Sequence, residues 1–214
     1  MNLKNYQRQT LETLEKFLSE AKLIGSAEAF ANNRNAFSYS AEYFSLKGLE
    51  DAPYVCLRLP TGGGKTLVGT NAISLASDYS KQDFPFVLWL VPSNEIRQQT
   101  LKILSNPNNF YIQILYRNFH GRVNIFDVAD FRCLRMQDLT QALNICVTTF
   151  QSFKVEDREI AFVRTAVAVN MKYAKNIVKC LCFLDNNLNI IPVDITLQPK
   201  TLRKVGDKER DDGV

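Results

Sequence analysis

Apolar side chains follow a helical period near the N-terminus of the chain. From residue 6 to residue 24 they recur every three or four positions, which predicts an amphipathic helix. The members of this stripe are Leu11, Leu14, Leu18 and Ala21. Residues 25–53 mix glycine, serine, asparagine and aromatic residues without a clear period. They predict an irregular connection in which several aromatic side chains pack.

In the middle of the chain, short apolar runs alternate with helical stretches. The predicted strands are 54–59, 86–91 and 144–148, with a fainter fourth at 123–126, and the predicted helices are 65–79 and 94–104. Nearly continuous apolar strands that alternate with helices are typical of a parallel sheet covered on both faces. The pattern therefore predicts an α/β doubly wound domain.

Beyond Phe153 the pattern changes. Apolar positions from Ile160 to Leu181 fit a helical period, and the mostly charged tail at 200–214 is expected to fray. Three parts are predicted: an N-terminal helix and connection (1–53), an α/β core (54–153), and a divergent helical segment with a charged tail (154–214).

Composition excludes several classes of protein. Hydrophobic residues make up 46% of the chain and charged residues 22%, as in compact globular proteins. One histidine, His120, and five cysteines without a C-x-x-C pair argue against a zinc site or a disulfide framework. His120 is expected on a surface or in a loop.

No apolar stretch is long enough for a membrane anchor, so a reducing cytoplasm is expected. The net charge of +4 neither requires nor excludes nucleic acid.

The sharpest chemical signal is a glycine-rich stretch between a predicted strand and a predicted helix. Residues 59–66 read Leu-Pro-Thr-Gly-Gly-Gly-Lys-Thr. Successive glycines let backbone N–H groups surround a polyphosphate, the helix N-terminus adds its positive dipole end, and Lys65 brings charge to the outer phosphates. Thr66 would place its hydroxyl on Mg²⁺. A glycine-rich turn without a ligand is the alternative, although it gives no reason for Lys-Thr to follow.

This stretch resembles motif I of superfamily 2 helicases and translocases. Their first position is commonly a small residue and not a fixed glycine, whereas simple kinases and transporter ATPases normally keep glycine there, so the departure at Leu59 is itself a clue. The segment around Gln7 resembles the motif that reads adenine ahead of motif I, with Tyr6 as a further member of the adenine pocket. Alternatively, Gln7 is only a polar residue of the first helical turn. The resemblance implies ATP and Mg²⁺ bound by Gln7, Thr61, Gly62, Gly63, Gly64, Lys65 and Thr66, with Thr66 on the metal.

Two further segments resemble nucleic-acid contacts of these enzymes. Residues 91–99 are similar to motif Ia, in which a strand ends in Pro-Ser and a helix follows. Residues 147–152 look like a threonine-rich turn that grips a nucleic-acid backbone, although such hydroxyls are also common caps. The residues that the resemblance assigns to DNA are Ser93, Asn94, Arg97, Thr148 and Thr149. Contact with the DNA backbone, without base reading, is expected of a translocase.

Residues 54–66 together with 88–94 most closely resemble the Res subunit of type III restriction enzymes, and the resemblance covers about residues 1–153. It implies an incomplete RecA-like P-loop domain of a helicase that binds ATP and DNA. The partners implied are DNA, a modification methyltransferase subunit and a missing C-terminal half of the motor, with no membrane.

Motif II of that family, a strand ending in Asp-Glu, has no counterpart after Phe153. The nearest candidate is Asp185, which ends an apolar run and is followed by Asn186 where glutamate belongs. An amide cannot accept a proton from the attacking water, so hydrolysis is expected to be weak or absent. The alternative for this segment is a turn or a helix stop. The chain is expected to be a product truncated before motif II or one part of a split protein.

Two other function classes stay open from the sequence. One is a non-catalytic nucleic-acid-binding or assembly module with a vestigial phosphate loop. The other is a small P-loop phosphotransferase, suggested by Gly64, Lys65 and Thr66 alone.

Overall fold

A computed structural model describes residues 2–34, 42–45, 52–133, 136–149 and 181–182 of the chain. The helices are α1 (Asn5–Ile24), α2 (Ser26–Asn33), α3 (Lys65–Ser80), α4 (Asn94–Leu104), α5 (Phe110–Asn118) and α6 (Met136–Gln141), and a 3₁₀ helix covers Val128–Cys133. The strands are β1 (Phe86–Val91), β2 (Val123–Asp127), β3 (Leu143–Thr149) and β4 (Leu181–Cys182).

The strands form one sheet in the order β2-β3-β1-β4, and every described pair is parallel. Val91 at the end of β1 lies opposite Thr149 at the end of β3, and Asp127 at the end of β2 lies opposite Val147. The carboxyl ends of these strands therefore meet at one edge of the sheet. The α/β class and the RecA-like, mostly parallel arrangement predicted from the sequence are confirmed, as an incomplete form of that fold.

Both faces of the sheet are buried, which explains the continuous apolar runs of its strands. On one face, alternate residues of β1 and β3 pack with helices α3, α4 and α5 around Ile73, Leu104 and Leu115. On the other face, Leu88, Leu90 and Cys146 form a second apolar layer. Helix α3 packs on the first face through Ile73 and is joined to β1 by a short turn, so helix and strand run in opposite directions. The N-terminus of α3 therefore lies towards the carboxyl edge of the sheet.

A separate apolar cluster joins α1 and α2 to the other side of α3. Phe17 is its largest fully buried side chain, at 1% exposure, and it contacts the rings of Phe30 and Tyr43. The buried face of α1 is the stripe predicted from the sequence, extended by Phe17. This cluster fixes the N-terminal helix against the start of α3.

Three predicted features were wrong. Residues 53–60 form neither helix nor strand, because no described strand lies beside them to accept their backbone hydrogen bonds. Their alternate residues Val55, Leu57 and Leu59 pack on the cluster of α1 and α3 instead. Part of the segment predicted as irregular is helix α2, which buries Ala29. Leu181 lies in strand β4 and not in the predicted helix, most of which falls outside the described residues.

Helices α5 and α6 and the 3₁₀ helix are additional to the predicted elements. Helix α5 begins where the Asn109 side chain accepts a hydrogen bond from the Tyr111 N–H. His120 lies in the turn that follows, exposed and in the left-handed region at φ 53°, as expected for a loop histidine. No helix in the described part of the chain is long and apolar enough to cross a membrane.

Candidate functional site

The glycine-rich loop forms a tight turn at the N-terminus of α3. The Gly63 N–H donates to the Pro60 carbonyl at 2.9 Å, which closes the turn. Gly62 and Gly64 adopt left-handed backbone angles, with φ of 72° and 78°. Residues with side chains rarely take these angles, so the turn requires glycine at both positions.

Gly63 is required for a different reason. A Cβ atom at this position would lie 2.7 Å from the Pro60 carbonyl oxygen, which is fixed by the same turn. A Cβ at Gly64 would also meet the side-chain amide of Gln7. The loop thus has no room for side chains on the side that faces α1.

Helix α3 begins directly after this turn, with Lys65 and Thr66 as its first residues. The Val68 N–H donates to the Gly64 carbonyl, while the N–H groups of the first helical turn have no partner within the helix. No described residue hydrogen-bonds or pairs with the Lys65 ammonium, and Lys65 and Thr66 are both partly exposed. The loop therefore combines unpaired N–H donors, a helix N-terminus and a free cation, which suits a polyphosphate. A Thr66 hydroxyl beside them is a suitable Mg²⁺ ligand.

The first turn of α1 reaches the loop. The Gln7 side-chain amide donates to the Gly63 carbonyl at 2.8 Å, and the Tyr6 hydroxyl donates to the same oxygen at 3.0 Å. Gln7 is only 4% exposed, and its Oε1 accepts the Lys4 N–H at 2.9 Å. The structure thus brings Gln7 to the glycine loop, where the sequence predicted a neighbouring binding element.

The packing of Leu59 explains why this position of the loop is not glycine, as the strict phosphate-loop pattern would require. Its side chain is 8% exposed and packs with Leu11, Leu14 and Val68 in the cluster between α1 and α3. A glycine here would leave the entrance of the loop without an anchor. The sequence signal for this role is the two-residue spacing of Val55, Leu57 and Leu59, which puts them on one side of an extended segment.

A family model described as "Type III restriction enzyme, res subunit" matches residues 1–178, which include the loop, α1 and the sheet up to β3. The chain belongs to the Res-subunit family. This confirms the family resemblance and identifies an ATP-binding, helicase-like domain. No curated protein and no solved structure matches the chain.

In this Res-family chain, a second polar group lies at the carboxyl edge of the sheet. Ser93 caps α4, and its hydroxyl accepts the Ile96 N–H at 3.4 Å. A hydrogen bond from Ser93 lowers the pKa of the Glu95 carboxyl below its ordinary value. The Arg97 guanidinium pairs with the Asp127 carboxylate at the end of β2 and also donates to the Asn94 side chain at 3.3 Å. The cation predicted to contact DNA is therefore neutralised in this structure.

The two threonines predicted to contact DNA end strand β3, close to the end of β1. Thr148 is 0% exposed, and its hydroxyl has no hydrogen-bond partner among the described residues. Thr149 is 3% exposed. The structure thus gathers all five predicted DNA residues at one edge, but it buries the two threonines.

The sequence did not predict that the Tyr6 hydroxyl donates a hydrogen bond to the glycine loop, or that Asp127 pairs with Arg97. Asp127 directly follows the apolar run of β2, so its position at the carboxyl edge was available from the strand pattern. Asp185 lies outside the described residues, as do residues 183–214 in general. The start of its apolar run is described as strand β4, parallel to β1.

Proposed function

We propose that this Res-family chain binds MgATP at its glycine loop and contacts a nucleic-acid backbone at the carboxyl edge of its sheet. The observation that carries the proposal is the loop at residues 60–66. Its left-handed glycines curve the backbone, and Lys65 at the start of α3 has no hydrogen-bond or ion-pair partner among the described residues. The backbone N–H groups of this loop and the Lys65 ammonium all suit the same type of ligand, a nucleoside triphosphate.

Each loop residue has a distinct part in the proposal. The N–H groups of Gly64 and of the first residues of α3 donate to phosphate oxygens, and the Lys65 ammonium binds the outer phosphates. The Thr66 hydroxyl binds Mg²⁺, which supplies charge neutralisation when it is bound. Asp185, which follows β4 by three residues in the sequence, stays the candidate for the catalytic carboxylate of motif II.

Thermal unfolding tests nucleotide binding directly. MgATP at saturating concentration should raise the melting temperature of the chain, because a ligand that binds only the folded state stabilises it. The substitution Lys65→Ala should abolish this rise. Lys102→Ala is the matched control, since it removes an exposed lysine from α4, away from the loop. A rise that survives Lys65→Ala, or no rise in the unmodified chain, would overturn the proposal.

Contact with nucleic acid is proposed for Ser93, Asn94 and Arg97, whereas Thr148 and Thr149, which the sequence also predicted, are buried and are left out of the proposal. Backbone contact predicts that Arg97→Ala weakens DNA binding equally for unrelated sequences and lowers the salt slope by about one. The partner implied by the family is the modification methyltransferase subunit. Binding of DNA that changes its sequence preference on Arg97→Ala would contradict backbone contact.

Hydrolysis is proposed to be weak in this chain alone, because Asn186 follows Asp185 where a catalytic glutamate is expected. The same observation favours a second candidate function, a nucleic-acid-binding module whose loop is vestigial. ATP turnover, measured with and without DNA beside Lys65→Ala, separates the two. DNA-stimulated turnover that Lys65→Ala abolishes would show a working motor. DNA binding that depends neither on ATP nor on Lys65 would support the nucleic-acid-binding module.

A further inference from the structure

Strand β2 forms one edge of the sheet. It pairs with β3 on one side, and no described strand lies on its other side. The Arg122 carbonyl accepts the Leu143 N–H of β3, so the backbone groups of Val123 and Ile125, which alternate with those of Arg122, point outward. Such an unpaired row of donors and acceptors is a template for another strand. Strand β2 carries neither lysine nor proline, the residues that commonly protect an edge from pairing.

A groove of about 450 Å³ follows this edge, and residues 123–126 of β2 line it. One wall contains Ser105, which ends α4, and Tyr116 of α5. The other wall contains Asp130 of the 3₁₀ helix and Asp138 of α6. The groove therefore has an aromatic wall and an acidic wall, with the outer edge of β2 between them.

The acidic wall lies on the face of the sheet opposite to α4 and α5. Burial and, secondly, the charge of Asp130 raise the pKa of the Cys146 thiol to about 12, and Cys146 belongs to the apolar layer of that face. Asn144 precedes Cys146 by two residues and so shares its face, and the Asn144 side chain donates to the Asp138 carbonyl at 2.7 Å. No lysine or arginine is among the described residues that line the groove. A ligand in the groove therefore meets negative charge on one side.

These walls determine which segment would fit. A strand added to β2 turns its side chains alternately to the two walls. Side chains that face Tyr116 should be apolar, and side chains that face Asp130 and Asp138 should be basic. A second copy of the chain, paired antiparallel through its own β2, would bring two acidic walls together, which charge repulsion disfavours.

We propose that the outer edge of β2 is a docking site for an extended protein segment in which apolar and basic residues alternate, bound as an added strand. Backbone hydrogen bonds to β2 would supply affinity, and the two walls would supply selectivity. The proposal goes beyond nucleotide binding, since no residue of the glycine loop lines the groove.

Fluorescence anisotropy of a dye-labelled, capped peptide, Lys-Val-Lys-Val-Lys-Val, titrated with the full chain tests the proposal. Saturable binding is expected. The peptide Glu-Val-Glu-Val-Glu-Val reverses the charge, and Lys-Pro-Lys-Pro-Lys-Pro keeps the charge but cannot pair as a strand, so each should bind roughly tenfold more weakly. Asp130→Asn should weaken binding of the Lys-Val peptide about threefold, as expected for one exposed ion pair. Asp78→Asn, on an exposed position of α3 outside the groove, is the control and should change nothing.

Each contrary result has a definite meaning. Equal binding of the Lys-Val and Lys-Pro peptides would show attraction by charge without strand pairing, which overturns the proposal. Binding that Asp130→Asn and Asp78→Asn affect equally would assign the peptide to another surface and overturn it too. No binding of the Lys-Val peptide, whether the chain is a monomer or a dimer in sedimentation, would also overturn it. Lys65→Ala should leave peptide binding unchanged, so the outcome is separate from that of the nucleotide proposal.

Discussion

The glycine loop and the carboxyl edge of the sheet carry similar polar residues, yet the structure treats them in opposite ways. At the loop, the Tyr6 and Gln7 side chains donate to the Gly63 carbonyl, and no side chain in the described ranges pairs with the Lys65 cation. At the sheet edge, the Arg97 cation is paired with Asp127, and Glu95 lies beside it on the same helical turn. The loop thus leaves its donors available for an anion, whereas the cation at the sheet edge is already paired with a carboxylate.

This difference indicates which region can bind a phosphate without first breaking an interaction within the protein. A phosphate at the loop meets donors that have no partner among the described residues, so it has no described side chain to displace. A phosphate at the sheet edge must compete with a carboxylate for Arg97, which costs part of the gain. Nucleotide binding is therefore expected to be strong compared with nucleic-acid binding by the same chain.

The anchoring of the loop predicts the largest effect. Leu59→Ala removes a buried side chain from the cluster of α1 and α3, and it should lower the free energy of unfolding by about 3 kcal/mol. Denaturant unfolding measures this loss. Leu23→Ala is the control, since Leu23 is 83% exposed and its truncation should change stability little. Equal losses for the two variants would show that Leu59 does not anchor the loop.

The conformation of the loop predicts the next largest effect. Gly64→Ala forces a side chain into the left-handed region and against the Gln7 amide, which should cost about 2 kcal/mol of stability. MgATP affinity should fall with it, because Gln7 must leave Gly63. Gly121→Ala is the control: its φ is 75°, but no atom of the described residues lies within 4 Å of the added Cβ. Its cost should be about 1 kcal/mol from the backbone angle alone, with MgATP affinity unchanged.

The two regions also differ in how much of them the sequence could predict. Strand β1 and helix α4 match their predicted bounds, because their apolar periods and the Ser93 cap are local signals. The start of helix α3 at Lys65, directly after the glycine-rich stretch, also matches its prediction, while the binding role of the loop stays a prediction. Helix α2 was missed because its few buried positions, among them Ala29, are too small to stand out as a stripe.

Contacts between distant segments could not be predicted in this way. The segment at 54–59 has the composition of a strand, but a strand also needs a neighbour with which to pair its backbone, and none is described beside it. Likewise, Arg97 was recognised as a cation at a helix start, while its partner Asp127 comes from another strand. Pairing depends on the packed fold, so residue type and spacing predict the location of a site better than its charge state.

Removing the ion-pair partner of Arg97 should make this cation available to a phosphate, as Lys65 is at the loop. Asp127→Ala removes the competing carboxylate, so DNA affinity at low salt should rise severalfold. Stability should fall by about 1 kcal/mol at most, because the pair is partly exposed to water. Asp83→Ala, which removes an exposed carboxylate before the start of β1, is the control. Weaker DNA binding by Asp127→Ala would mean that the ion pair positions Arg97 for its contact.

The smallest effect concerns the two cysteines whose surroundings are described, one in each region. Cys56 in the segment before the loop is exposed, whereas Cys146 in β3 is buried, and burial raises its pKa to about 12 from 9.0. The unfolded chain loses this proton above pH 9 and the folded chain keeps it, so stability falls as the pH rises from 9 towards 12. Between pH 8 and pH 9 the contribution is about 0.4 kcal/mol.

Comparison with Cys146→Ala isolates this term from other groups that titrate in alkali. The variant should show a smaller loss of stability between pH 8 and pH 10 than the unmodified chain, measured by denaturant unfolding at each pH. Cys56→Ala should keep most of the loss, because burial raises the pKa of this exposed thiol as well but the nearby Arg58 cation opposes the rise. An identical pH profile for Cys146→Ala and the unmodified chain would show that water reaches the interior of the sheet at Cys146, so that the sheet would be no better sealed than the segment that leads into the loop.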